Sequence, residues 1–371
     1  MKNFNLTIYN EFTNELVNTW KNFEKESDNY YFQNLDWQKF WFQQMIKYEK
    51  QKFSVHIIVV KNDNDILFIL PMCVNKFLNV KILTWPGFPF SDYNSPLIKK
   101  DLNINEDDFY QIWKLILSNK ELFNCVNLTN QPEFINNTHN PFFKYLNTVT
   151  TTNYFGISLN KIDHINDLVK KSVKSDLRYQ KNRLNKIGNL SFNLAKKQSD
   201  IKKIVRFILM NKSMQYQRTD GWNLFDINVY KKIFIKFNLK LKSNLYLSYL
   251  SLNDTIIAAH SGYIYNNRCY YLFPTYDTNF KKFSPGKILL SELVYDCKNN
   301  NLNYFDLTIG SEGYKKKWSN SIMKSCSTLK STKFNGFVYI LFIKVKMYIK
   351  FKNLSNNYLT KIFRKLKKNV T

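Results

Sequence analysis

The chain is poor in the residues that break or staple a fold. Glycine and proline number only nine and eight in 371 residues, which excludes collagen-like repeats and Pro/Gly-rich low-complexity architectures. The five cysteines, Cys73, Cys125, Cys269, Cys297 and Cys326, are scattered, odd in number and without a C-x-x-C pair. Neither a disulfide framework nor a structural zinc site is expected, and no metal. No uncharged apolar run approaches the ~18 residues a membrane span needs. The opening MKNFNLTIYNEF has no apolar core of a secretory signal, so a cytoplasmic, non-spanning protein is expected. The phosphate loop G-x-x-x-x-G-K-[ST] and the dinucleotide turn G-x-G-x-x-G are both missing, which removes support for triphosphate hydrolysis and hydride transfer. Acidic residues stop at Glu312.

What is present points to a folded protein. Hydrophobic residues make up 44% and aromatics 17% of the chain, enough for sizeable cores, and the length suits two domains. The formal charge is +27, and the 15 Lys and Arg after Glu312 supply over half of it. A surface of that sign favours nucleic acid, acidic lipid or phosphorylated ligands. Element patterns divide the chain into a lobe over 1–150, a second over 151–335 and a basic tail over 336–371. In the first lobe, FSVHIIVV and DILFILPMCVN around KNDND read as a hairpin, and EDDFYQIWKLILSNK as a helix. In the second, the basic helix KSVKSDLRYQKNRLNKIG precedes a helix entered at Ser199. Three apolar runs separated by Asn-Asp and Asn-Asn then form an antiparallel meander. A helix opened by SPGK and the strand YFDLTIG follow, which implies a crossover and mixed sheets with helices on their faces.

The SPGK turn carries the clearest chemistry. Ser284 suits an N-cap and Pro285 the first helical position, while Gly286 leaves the amides unshielded and Lys287 adds a full charge. Leu289, Leu290, Leu293, Val294 and Cys297 form one stripe that anchors the helix body. An anchored helix with a bare N-terminus attracts phosphate; the same tetrapeptide also suits an ordinary capped helix.

The succession AAHSGYIY, YYLFPTYD, FSPGKILL and FDLTIGSEGYKKKW resembles the GNAT-type acetyltransferases over about residues 150 to 318. Within them it is most similar to the family linked to cellulose and surface-polysaccharide biosynthesis, related to the FemAB peptidyltransferases. The resemblance implies an α/β (α+β) fold of two GNAT-like lobes, each a mixed, mostly antiparallel sheet flanked by helices, with a basic C-terminal helix. Acetyl-CoA, or another acyl-CoA, is the implied co-substrate. Ser284, Pro285, Gly286 and Lys287 would bind its pyrophosphate, and Ala258–Gly262 with Tyr270–Phe273 would flank the acyl group. Tyr276 and Asp277 match the family's Tyr-Asp pair, and Asp306 and Gly310 its F-D-x-x-x-G signature. Arg178 and Arg183 match its basic R-x-x-x-x-R helix. The fuller R/Q-x-x-G-x-G/A loop of standard GNAT enzymes is not present.

Direct acyl transfer needs a neutral nucleophile, a polarised carbonyl and an acid for the departing thiolate, and no side-chain nucleophile. Asp306 is then a base or a structural carboxylate, and Tyr276 or Tyr314 an acid or a packing residue. His260 is a base or, as strand alternation favours, a core histidine. Gln215, Arg218 and Trp222 are expected at the acceptor, as is Asp277. Asp92 and Tyr93 in SDYNSPL would face a cleft between lobes or fix their own loop. Arg178, Lys181, Arg183 and Lys186 either read phosphates or form a solvated helix face. The expected function is acyl transfer to an amino or hydroxyl group of a cell-envelope sugar or polysaccharide precursor. Aminoacyl-tRNA-dependent peptidyl transfer and a non-catalytic membrane-surface module are the alternatives. In the tail, Leu354, Tyr358, Leu359, Ile362, Phe363, Leu366 and Val370 stripe a basic helix. It would either dock on the second lobe or lie on an anionic membrane. The preceding IKVKMYIKFK, with period-two lysines, reads as a strand.

Overall fold

The computed structural model describes residues 2–119, 121–146, 148–162, 168–218, 222–241 and 243–351. The amphipathic segment expected over Leu354–Val370 lies outside them. The chain divides into two compact units, the first formed by Met1–Thr151 with Lys324–Thr371 and the second by Thr152–Met323.

The first unit opens with β1 (Phe4–Tyr9) and helices α1 (Asn14–Glu26) and α2 (Leu35–Glu49), capped by Thr13 and Asn34 side chains. The long hairpin β2 (Phe53–Asn62) and β3 (Asp65–Phe77) follows, then β4 (Val80–Thr84), helix α3 (Glu106–Ser118) and β5 (Cys125–Pro132). β1 to β4 pair antiparallel; β5 lies parallel to β4 because α3 carries the chain back across the sheet. Val55 to Val60 and Leu67 to Val74 are buried almost without interruption, as expected of strands covered on both faces.

The second unit runs through β6 (Thr148–Ser158), α4 (Lys171–Asn185), β7 (Leu190–Leu194), α5 (Gln198–Arg218), α6 (Asn228–Lys240), β8 (Leu245–Leu252), β9 (Thr255–Tyr265) and β10 (Arg268–Tyr270). It closes with α7 (Pro285–Asn299), β11 (Tyr304–Gly310) and the short α8 (Gly313–Trp318). The strand order is β6-β11-β10-β9-β8-β7, antiparallel except where β10 and β11 run together. The expected meander is there. Its second turn places Asn266 and Asn267 at φ 49 and 55°, the two positive values that a twisted hairpin requires. The stripe of α7 is buried at all five expected positions and packs with Leu177 and Leu184 of α4 against Ile257, Phe305 and Leu307 of the strands. Each such side chain contributes roughly 2 kcal/mol of apolar burial. Helix α5 begins at Gln198, with the Lys197 carbonyl accepting its first amides, so Ser199 lies inside the first turn instead of capping it.

Two elements then complete the first unit: β12 (Ser321–Ser331) and α9 (Phe334–Phe351). Residues 324–335, grouped with the second lobe by sequence, pack with the first unit because β12 pairs antiparallel with β5 from Ser325↔Pro132 to Ser331↔Cys125. The strand reading of IKVKMYIKFK is overturned: as far as Phe351 the segment is the end of α9. Tyr339 and Ile340 seat that helix on Phe77, Ile82 and Cys125. Once those contacts fix the axis, apolar positions at helical spacing outweigh the period-two lysines.

Candidate functional site

β10 and β11 pair for only three residues, Arg268↔Tyr304, Cys269↔Phe305 and Tyr270↔Asp306. The Tyr271 N–H still donates to the Asp306 carbonyl at 2.8 Å. Beyond that point the strands part. β11 continues beside β6, while the other chain stays with β9: the Phe273 N–H donates to the Ser261 carbonyl, Thr275 and Tyr276 pair with Ala259 and Ala258, and the Asp277 N–H donates to Ile257.

Each departing strand carries an extra residue. Tyr270 faces Tyr263 but Thr275 faces Ala259, so five steps on one chain oppose four on the other. That is a β-bulge. A Cβ on Gly262, opposite it, would run into the Tyr270 carbonyl and the His260 ring, so the close approach requires glycine. Since Phe273 and Asp277 donate toward β9, alternation turns Leu272 and Tyr276 to the side that β11 has left. Pro274, between them, has no donor to leave unpaired. The Leu272 N–H has no backbone partner among the described residues, and Leu272, Phe273 and Pro274 are all half-buried.

On β11 the register against β6 slips between Phe155↔Thr308 and Gly156↔Asp306. Thr308 adopts φ 62°, a left-handed conformation that is unusual for a β-branched residue and costs on the order of 1–3 kcal/mol. Asp306 holds it there. Its fully buried carboxylate accepts the Thr308 N–H at 2.8 Å through Oδ1 and pairs with Arg268 Nη1 at 2.9 Å through Oδ2. The Arg268 guanidinium lies 4.2 Å from the Tyr304 ring centroid.

Helix α7 starts where the expected anion turn stands. Ser284 occupies the N-cap position in a left-handed conformation, φ 51° and ψ 47°, but its hydroxyl makes no capping bond. Its carbonyl accepts from Lys287 and Ile288 instead. Pro285 has no donor, so Gly286 supplies the free amide of this turn among the described residues. Tyr276 packs on that glycine, with ring Cδ1 3.2 Å from where a Cβ would stand. Helix α4 braces the turn: Lys287 pairs with Asp176 at 3.1 Å, Lys181 pairs with Glu292, and the Arg183 guanidinium lies over Phe283 while donating to the Lys282 carbonyl at 3.2 Å. The Lys287 hydrogen bond holds the Asp176 carboxyl below its ordinary pKa. Arg178 and Lys186 are exposed.

His260 is fully buried and stacked on Tyr271, ring centroids 4.9 Å apart. Burial pulls its pKa down to about 3; the Tyr270 carbonyl beside the ring opposes this without reversing it. A neutral, enclosed ring is a core residue at neutral pH. The folded pKa lies below the ordinary 6.5, so stability is full above pH 6.5 and falls as pH drops toward 3. Near pH 5 the loss is about 2 kcal/mol. Denaturant curves at pH 7 and 5 should diverge for the parent and nearly coincide for His260→Phe, after allowing for His56 of the first unit, which burial lowers to about 4. Equal pH slopes in both proteins would mean the native ring takes up protons.

A cluster of which sequence reading named only Tyr314 gathers where β11 ends. Lys315 is buried, its Nζ donating to the Ile309 carbonyl at 2.7 Å and lying 3.2 Å from the Glu312 carboxylate. Lys212 of α5, half-buried, is pulled down to about 8 by burial, which outweighs the opposing pull of Glu312; Lys315 adds to the lowering. Burial, with Glu312 adding, holds the Tyr314 phenol well above its ordinary range, and Tyr314 interacts with Tyr271 next to the bulge. Nothing local distinguishes Lys212 from the other lysines of its helix. The remaining expected residues lie elsewhere. Asp277 caps the 3₁₀ turn Thr278–Phe283 by accepting the Asn279 N–H. Gln215 and Arg218 are exposed on the last turn of α5, and Trp222 stands edge-on to Tyr230. In the first unit, Tyr93 is buried against Tyr30 and Phe32, and Asp92 beside it is half-buried. No group of three His, Cys, Asp or Glu among the described residues could hold a metal, and no described helix is long and apolar enough to cross a membrane.

Residues 171–316, from α4 to α8, match the family described as Acetyltransferase (GNAT) domain. No curated protein matches the chain. Among solved structures it is similar to FemX, at 8% identity and a TM-score of 0.57 over 86% of this chain and 96% of that one. It is also similar to a conserved protein of unknown function from Bacteroides thetaiotaomicron VPI-5482 (12% identity, TM-score 0.52, 90% and 100% covered). L-PGS from Bacillus licheniformis matches at 10% identity and a TM-score of 0.51, with 88% and 95% covered. At such identities the likeness is one of fold. Residues 171–316 of the second unit are thus similar to a GNAT domain, and the mixed, mostly antiparallel sheet flanked by helices is as the sequence led us to expect.

Proposed function

We propose that the protein moves an acetyl or other short acyl group from acyl-CoA to an amino or hydroxyl group of a cell-envelope sugar or polysaccharide precursor. The observation that carries this reading is the parting of β10 and β11 beside the Gly286 amide. Tyr276, on the chain that leaves β11, packs on Gly286 at the start of α7. Acyl-CoA would supply the acyl group as an activated thioester. Gly286 N–H, Lys287 and the exposed Lys281 and Lys282 are suited to its phosphates, and Leu272 N–H to an acyl oxygen that gains charge.

Phosphate and thiol lie at opposite ends of that ligand, and Tyr276 packs on Gly286, at the phosphate end. We therefore assign the acid that protonates the departing sulfur to Tyr314, beside Tyr271 and the bulge, and not to Tyr276. Its raised pKa keeps the phenol protonated. Lys212, its pKa lowered by burial to about 8, is the group suited to accept the acceptor's proton. Asp306 holds the bulge. Gln215, Arg218 and Trp222 belong to the acceptor side, at the end of a helix that packs on Thr275–Tyr276.

Aminoacyl-tRNA-dependent transfer is the second reading, favoured by the likeness of fold to FemX and the exposed Arg178 and Lys186 of α4. Thermal-shift titration with acetyl-CoA, free CoA and aminoacyl-tRNA separates the two. Stabilisation by the CoA ligands is expected; stabilisation by tRNA alone would replace the first reading with the second, and by none would leave a non-catalytic module. Gly286→Val and Lys287→Glu should each weaken acetyl-CoA binding about tenfold with the fold retained, the melting temperature of the free protein falling only modestly as the Tyr276 contact or the Asp176 pair is disturbed. Parent-like binding by both variants would put the phosphate site elsewhere.

A further inference from the structure

Helices α5 and α6 enclose a groove that acyl transfer leaves unused. It has a volume of about 440 Å³, and Val205, Leu209, Phe225, Ile235 and Leu239 form its apolar lining. On α5 the lining residues run from Lys202 to Ser213, one helical face some 16 Å long at ~1.5 Å per residue. Met210, on the rim, is 58% exposed. Lys202, Arg206 and Lys231 line it too; all three are exposed and none has an ion-pair partner among the described residues.

These features fit few occupants. A slot without an unpaired buried polar group suits a hydrocarbon chain, since it offers a base or sugar no hydrogen bonds to replace those lost to water. Three unneutralised cations at its border suit an anionic headgroup. A second copy of this chain would set the same cations against each other, and a neutral lipid would leave them unmatched. We infer that the α5–α6 groove binds an anionic membrane phospholipid, its acyl chain along Leu209 and Ile235 and its phosphate among Lys202, Arg206 and Lys231. The inference is independent of the acyl-transfer reading.

The test uses the full chain and monomeric short-chain phosphatidylglycerol, with phosphatidylcholine of the same chain length as the neutral counterpart. A photoreactive acyl chain maps the site by peptide mass. Arg206→Glu combined with Lys231→Glu is compared with Lys47→Glu combined with Lys114→Glu, an equal charge change on exposed side chains of the first unit. Expected are labels within 202–213 and 231–239, tighter binding of phosphatidylglycerol than phosphatidylcholine, and an affinity loss of at least about tenfold for the groove pair only. Equal losses in both pairs, labels elsewhere or equal affinity for the two lipids would overturn the assignment. So would concentration-dependent self-association of the parent that the groove pair abolishes, since the groove would then be a subunit contact.

Discussion

Replacing Asp306 by Ala should cost the second unit about 3 kcal/mol and lower its melting temperature by roughly 10 °C. The carboxylate is fully buried, and both of its oxygens are engaged, by Arg268 and by the Thr308 amide. Removing it strands a largely buried guanidinium and releases a β-branched residue held at φ 62°. Asp306→Asn keeps an acceptor for Thr308 and loses only the charge pair, so it should fall between the parent and Ala. The readout that separates this positioning role from a catalytic one is a double-mutant cycle with Arg268→Gln. A structural pair gives a double variant little worse in stability than the worse single one. If Asp306→Asn instead keeps parental stability and loses two or more decades of rate, the carboxylate is a base after all.

The second large effect concerns Tyr314. Tyr314→Phe should lower kcat by roughly 10² to 10⁴ with little change in acetyl-CoA affinity, because a general acid acts in the transition state and not in binding. Thiol release from acetyl-CoA in the presence of an amino-sugar acceptor measures it. Tyr276→Phe serves as the internal comparison: packed on Gly286, it should alter affinity more than kcat. The opposite pattern, with the kcat loss in Tyr276→Phe, would exchange the two tyrosines. Loss of kcat in neither variant would mean that the sulfur departs without a side-chain acid.

The contrast between Asp306 and Tyr314 reflects how differently the two are encoded. Asp306 is conspicuous in YFDLTIG, yet what it does depends on Arg268, 38 residues away, and on a slip of register against β6. Tyr314 stands out only weakly among 24 tyrosines, and only the fold brings it within reach of Tyr271. Lys212 was invisible for the same reason: burial in the folded unit lowers its pKa, Lys315 adds to the lowering and Glu312 opposes it, both about a hundred residues on.

By itself the sequence determined the elements whose information is local. The α7 stripe from Leu289 to Cys297 repeats at helical spacing, the Asn253–Asp254 and Asn266–Asn267 turns tolerate positive φ, and Ser284-Pro285-Gly286 marks a helix start. These follow from side-chain period and backbone sterics within a few residues. Helix Asn228–Lys240 went unread, its apolar positions being interleaved with lysines. Tertiary structure alone decided which strand keeps which partner. β10 and β11 compete for β9 and β6, each follows a different neighbour, and the bulges at Leu272 and Leu307 absorb the mismatch. The end of α9 and the return of β12 to the first unit were decided the same way, by a surface from elsewhere in the chain. Edge pairing is a contest between distant segments for the same row of amides and carbonyls, and no local pattern records its outcome.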